Sequence, residues 1–195
     1  MFHFHDLLPA SGSAARTFTL EGEVTGVLWN QSGADEPRPL VLLAHGGGQS
    51  AQAPSVRASA EQLVARGYDA VALDAPGHGG RLRSDAEDAA LARVREAVGN
   101  PEAAGIAVAA FSQEVSRRAV PEWIQLLDEL EGSGQRKNGG PVGFWGFALG
   151  AVTGFALLSA ETRVGAAVLG LVGDNLAGLA HTITTPIQFL LQWGD

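Results

Sequence analysis

The stretch GFWGFALGA, residues 143–151, decides how the rest of this chain is read. Val142 to Phe147 is a short apolar run of strand character, and ALGAVTGFALLSA (148–160) reads as a helix rich in small residues. Between them lies Gly146-Phe147-Ala148-Leu149-Gly150, a sharp strand-to-helix turn with a glycine two residues to either side of Ala148. Glycine is needed at such positions when neighbouring backbone comes too close for a side chain. Taken alone, the pattern fits close packing of helix on sheet. It also fits a turn that presents one residue at a site.

Working outward, VGAAVLGLV (164–172) and PIQFLLQW (186–193) read as two further strands. RTFTLEGEVTGVLWNQ (16–31) predicts two short strands turning at Glu21-Gly22, and LVLLAH (40–45) a continuous apolar central strand. VRASAEQLVARG (56–67) places Val56, Ala60, Leu63 and Val64 on one helical face, with Gly67 as the stop. YDAVALDAPGHGG (68–80) is a second buried strand running into a loop. Ser84 with Glu87 predicts a capping box for a helix that buries Leu91, Val94 and Val98. GIAVAAF (105–111) fits either an added strand or the start of a helix. Val115 to Leu130 reads as a helix with Trp123, Leu127 and Leu130 inward, bent or restarted at Pro121. GSGQRKNGGP (132–141) is a polar loop.

This alternation of strand, loop and helix predicts one α/β domain over 1–195, with a mostly parallel sheet and flanking helices. Segment 81–113 exceeds a minimal crossover and fits a small insert, a lid or extra scaffold. The chain ends at Gly194-Asp195, directly after a strand that would be an uncovered edge. We therefore expect a fragment of a longer chain, the alternative being an edge shielded by a partner.

Composition narrows the function. Hydrophobic residues make up 46% of the 195 and charged residues 17%, enough apolar material for a sizeable core. The net charge of −8 disfavours nucleic acid and anionic membranes, both of which call for a basic surface. With no cysteine there is no disulfide, thiolate nucleophile or Cys-ligated metal. The N-terminus MFHFHDLLPASGSAA does not read as a signal peptide, and a cytoplasmic location is expected. Nothing in the sequence sets the oligomeric state.

Were residue 148 a serine, the turn would be the nucleophile elbow of a serine hydrolase. Alanine has no hydroxyl with which to attack a carbonyl. The run His45-Gly46-Gly47-Gly48 follows the central strand, where backbone N–H groups can point at a developing oxyanion, an anion nest being the other reading. The N–H of Leu149, one residue after the nucleophile position, is the second donor of such a hole. The glycine run lacks the Lys-Ser/Thr end of a phosphate loop. His-Glu-x-x-His spacing does not occur, and His78 with Asp74 makes only a weak metal pair.

Taken in order, three motifs resemble the α/β-hydrolase superfamily, in its dienelactone-hydrolase-like and esterase branch. His45-Gly46-Gly47-Gly48 is similar to its oxyanion loop, and Leu73-Asp74-Ala75-Pro76-Gly77-His78-Gly79 to its loop after the following strand. Gly146 to Gly150 is similar to its elbow, with Ala148 at the serine position. The resemblance implies acyl transfer to water on a small-molecule ester, thioester or lactone, with no cofactor and no metal. It implies backbone oxyanion donors at Gly47 and Leu149 and a substrate site bordered by Gly46, Gly48 and Phe147, although Phe147 fits plain packing equally. Phe144 and Trp145 lie on opposite strand faces, so at least one is core.

The segment from Ile187 to Asp195 is similar to the family's acid-bearing strand and implies Asp195 as the acid. A terminal surface carboxylate is the other reading, and Asp174 is the alternative acid. The family's histidine comes after the acid, and this sequence supplies none there. His45 is implied as a brace of the oxyanion loop, while His78 reads as a loop anchor and His181 as part of a loop or pocket rim. His3 and His5 fall in a terminus expected to be loose. The alanine then has two readings: an engineered Ser→Ala replacement, or a naturally non-catalytic protein that binds a ligand or partner.

Overall fold

The structure, a computed structural model, describes residues 2–6, 14–30, 37–134, 136, 140–171 and 180–192. Eight strands form one sheet: β1 (Phe2–Asp6), β2 (Ala14–Leu20), β3 (Val24–Asn30), β4 (Leu40–Ala44), β5 (Asp69–Leu73), β6 (Val142–Phe147), β7 (Val164–Gly170) and β8 (Ile187–Leu190). Their spatial order is β1-β2-β3-β5-β4-β6-β7-β8. The five strands from β5 to β8 run parallel, and β3, β2 and β1 extend the sheet antiparallel at one side. The helices are α1 (Pro54–Ala65), α2 (Asp85–Glu96), α3 (Pro101–Gly132) and α4 (Leu149–Ala160).

A parallel strand reached by crossovers is covered on both faces and is apolar throughout. LVLLA meets that condition at the centre of the sheet, as does DAVAL after the half-buried Asp69 at its start. On one face α1 turns Val56, Ala60 and Val64 onto Val27, Trp29, Leu43, Ala70 and Ala72. On the other, α3 and α4 bring Trp123, Leu126, Leu127, Leu130, Phe155 and Leu157 against Leu42, Val71, Phe144 and Leu169. No helix of the described residues is long and apolar enough to cross a membrane.

Three sequence expectations are corrected. The N-terminus is not loose over Phe2–Asp6: it adds an edge strand paired from Phe2↔Leu20 to Asp6↔Arg16. Phe4 meets Phe18 edge-on with ring centroids 6.0 Å apart, and the Arg16 guanidinium sits 4.4 Å over the Phe4 ring. These contacts anchor a strand too short to hold itself.

The stretch 105–111 is helical and not a strand, but it does not start a helix of its own. It lies inside α3, which runs unbroken through Pro121. Its start is set by Asn100, whose side chain accepts the Ala103 N–H at 3.1 Å, followed by Pro101 in the first turn.

The capping box at Ser84 and Glu87 is present, but of the residues expected inward Leu91 and Val94 are only half-buried and Val98 is not buried. The buried residues of α2 are Glu87 and Ala90, and Val98 is 80% exposed beyond the helix end. The inward face is set by the Glu87 carboxylate, which accepts both the Ser84 N–H and the Arg118 guanidinium of α3. A buried charge needs such partners, and with them Glu87 takes the deepest place on the face that Leu91 and Val94 share.

Candidate active site

Ala148 stands between β6 and α4 with φ +49° and ψ −114°. An L-residue there costs roughly 1–3 kcal/mol, so the surrounding structure must enforce it. The Ala148 N–H donates to the Gly170 carbonyl of β7 at 2.9 Å. Its carbonyl accepts from Ala151 at 3.0 Å and Val152 at 3.1 Å, opening α4.

The flanking glycines are required by contact. A Cβ on Gly146 would lie 2.5 Å from the Gly150 carbonyl oxygen, and one on Gly150 would collide with the Ala44 carbonyl. The expectation that the Gly-x-Ala-x-Gly spacing reflects close backbone approach therefore holds.

Opposite the elbow, the glycine loop leaves β4. A Cβ on Gly46 would be 3.8 Å from the Phe147 carbonyl oxygen, which measures how near the loop passes. Gly48 has φ +74°, a conformation that favours glycine. The loop is braced from beneath. His45 is 3% exposed; its Nδ1–H donates to the Gly46 carbonyl at 2.8 Å, and its Nε2 accepts the Ala75 N–H at 3.0 Å. Accepting at Nε2 fixes the neutral Nδ1–H tautomer. Burial holds the His45 pKa below its ordinary value, and nearby His78 adds to the lowering against the pull of the Gly46 carbonyl and Asp74. With both nitrogens engaged, His45 is a brace and not a base.

Asp74 works alongside it. Its carboxylate accepts the Thr25 hydroxyl at 2.5 Å and the Ala51 N–H at 2.7 Å, joining β3 to the loop that carries the glycines. Gly79 makes room for it, since a Cβ there would meet the carboxylate at 2.5 Å. His78 donates from Nδ1 to the Pro76 carbonyl at 2.9 Å, with its ring 5.4 Å from that of His45.

A cavity of about 400 Å³ opens between loop and elbow, walled by Leu43, Ala44, His45, Gly46, Gly47, Gln49, Ser55, Val56, Ser59, Trp145, Phe147, Ala148 and Leu171. The structure thus brings Gly46, Gly47, Phe147 and Ala148 to one cavity. Leu149 is buried in the first turn of α4, and Gly48 is exposed on the loop. His181 and His3 are exposed and away from the cavity wall. None of the wall belongs to 81–113, which forms α2 and the first part of α3. Asp195, Asp174 and Trp193 lie outside the described residues. Among the described residues, no three His, Asp or Glu side chains converge as a metal site.

Sequence reasoning missed Leu171, Gln49, Ser55 and Ser59 as wall residues. The serines sit one helical turn apart on α1, a signal that was available; Leu171 left none.

The fold as a whole is similar to that of solved structures. The chain superposes on a cold-adapted esterase from an Arctic intertidal metagenomic library with TM-score 0.72 and 29% identity, over 97% of this chain and 76% of the other. This is an α/β-hydrolase fold. An acetyl xylan esterase from a Paenibacillus species shares it at TM-score 0.67 and 12% identity, over 100% of this chain and 82% of that one. No protein-family model matches the sequence, and comparison with curated protein sequences gives no significant match.

Proposed function

We propose that the chain is a carboxylic ester hydrolase of the acyl-enzyme type whose nucleophile position, residue 148, carries alanine. The carrying observation is the backbone of Ala148. A methyl side chain gives no reason to hold φ +49°, whereas a nucleophile held between strand and helix gains exposure to the cavity and the N-terminal end of α4. The likeness at 29% identity to an esterase supports the reaction class.

With serine at 148, its Oγ attacks the ester carbonyl and loses its proton to a base. The carbonyl oxygen gains the negative charge beside the backbone N–H groups of Gly47 and Leu149, with Gly46, Gly48 and Phe147 bordering the substrate. The alkoxide leaves, and water releases the acid. Asp195 is the acid of this reading. With Ala148 the first bond cannot form, and the chain binds without turning over.

A second reading, a non-catalytic binding protein, is favoured by one observation: the cavity is open and formed although its central residue cannot react. The test is A148S in the full-length gene product, assayed on 4-nitrophenyl acetate and butyrate and labelled with a fluorophosphonate. Turnover with labelling supports the hydrolase; a folded A148S protein with neither leaves only the binding reading.

A further inference from the structure

Among the described residues, three non-glycine positions have positive φ: Glu21, Ala148 and Leu171. Glu21 belongs to the tight β2–β3 turn, and the other two meet at the cavity. Leu171 has φ +56° and is 53% exposed. A leucine gains nothing from that backbone, which costs about 1–2 kcal/mol, nor from facing water.

Its surroundings fix it there. The Leu171 N–H donates to the Leu190 carbonyl of β8 at 3.2 Å, and the carbonyl just before it, on Gly170, accepts from Ala148. Gly170 has no room for a side chain because the Phe147 ring lies across it. The Trp145 and Phe147 rings stand 6.1 Å apart. Leu171, Phe147 and Trp145 thereby share one side of the cavity, with Ser55 and Ser59 of α1 also on its wall. Among the described residues of the wall no side chain carries a charge, since His45 is the neutral tautomer.

We propose that Leu171 is a specificity-determining residue for neutral esters: together with Phe147 and Trp145 it forms the apolar wall against which one arm of the ester packs beside residue 148. This rests on reading the cavity as an ester site. An uncharged arm desolvates Leu171 and recovers the cost of its exposure, whereas a carboxylate arm would lose its hydration without a cation to meet it. Against the share of liquid volume that a water occupies, the cavity has room for about a dozen small groups.

The probe is 1-phenylpentan-2-one, the non-hydrolysable ketone counterpart of phenyl butyrate, titrated calorimetrically into the unchanged Ala148 chain. The chain should bind it, and bind 4-phenylbutyrate at least about tenfold more weakly. L171A should weaken the ketone about five- to tenfold, the loss expected for removing a half-buried isobutyl group. L171G, whose backbone suits φ +56°, keeps the fold and should show the same loss. In A148S, L171A should lower kcat/KM for butyrate relative to acetate. Absence of ketone binding, ketone binding by both Leu171 variants as tight as by the unchanged chain, or preference for the carboxylate overturns the proposal. If A148S shows no turnover while the ketone titration behaves as expected, the hydrolase reading fails and the role of Leu171 in binding stands.

Discussion

The Nε2 atom of His45 accepts the backbone N–H of Ala75 at 3.0 Å, and the same ring donates from Nδ1 to the Gly46 carbonyl at 2.8 Å. One neutral imidazole thus fastens the glycine loop after β4 to the loop after β5. The neighbouring Asp74 adds a second fastening through Ala51. Backbone donors held in this way are in place before a ligand arrives, and that is where electrostatic stabilisation draws its advantage over water.

Acid should undo the first fastening. Burial keeps His45 neutral in the folded chain below its ordinary pKa of 6.5, while the unfolded chain takes up the proton near that pH. Stability present above pH 6.5 is therefore lost as the pH falls through the folded value, by proton uptake to the unfolded state. Thermal midpoints measured from pH 7.5 to 5 check this. H45Q should start about 1–3 kcal/mol less stable, from its broken hydrogen bonds, yet decline less across the window. Equal slopes would assign the acid loss to the carboxylates.

Strain at the elbow should be measurable on its own. A148G relieves the positive φ and should raise stability by about 1 kcal/mol, while A148S keeps the strain and should stay within about 1 kcal/mol of the unchanged chain. Denaturant titration of the three proteins decides. A destabilised A148G would mean that the turn is not held under strain.

Much of this arrangement was legible in the sequence because it rests on local rules. The Ser84–Glu87 box, the turn at Glu21-Gly22 and the glycines around Ala148 each answer a short-range steric or hydrogen-bond demand. The misreadings arose where a distant partner decided. Arg118, 31 residues away, let Glu87 take the most buried place on α2, on the face it shares with the half-buried Leu91 and Val94. Phe18 and Arg16 gave an N-terminal strand a place to dock. Within the site, the glycine loop and elbow were read from spacing, but Leu171 was not. Its conformation comes from its own bond to β8 and from the neighbouring bond of Ala148 to Gly170, which no local pattern encodes.

Two glycines separate close approach from helix propensity. In G150A the new methyl meets the carbonyls of Ala44 and His45, both backbone, so nothing flexible can yield. We expect a loss of about 3 kcal/mol or expression as insoluble protein. In G105A on α3 a Cβ meets nothing within 4 Å, and stability should rise by about 0.5–1 kcal/mol. Thermal midpoints of the two variants should therefore move in opposite directions; a mild G150A would mean that the elbow packs more loosely than these distances require.

Asp74 offers the sharpest separation of charge from hydrogen bonding beneath the site. Asp74 is 6% exposed, and its carboxylate accepts hydrogen bonds from the Thr25 hydroxyl of β3 and the Ala51 N–H. In D74N the amide oxygen can keep the Ala51 bond, and its NH2 can donate to Thr25, whose hydroxyl can accept as readily as donate. The cost should be about 1 kcal/mol. D74A leaves the Ala51 N–H buried without its acceptor and should cost about 2–4 kcal/mol, with faster amide exchange at Ala51 and along Gly46–Gly48. T25V removes the hydroxyl while sparing Ala51, so it should leave that exchange nearly unchanged. If D74N proves as damaging as D74A, the negative charge itself holds the loop, and T25V should then be nearly neutral in stability as well.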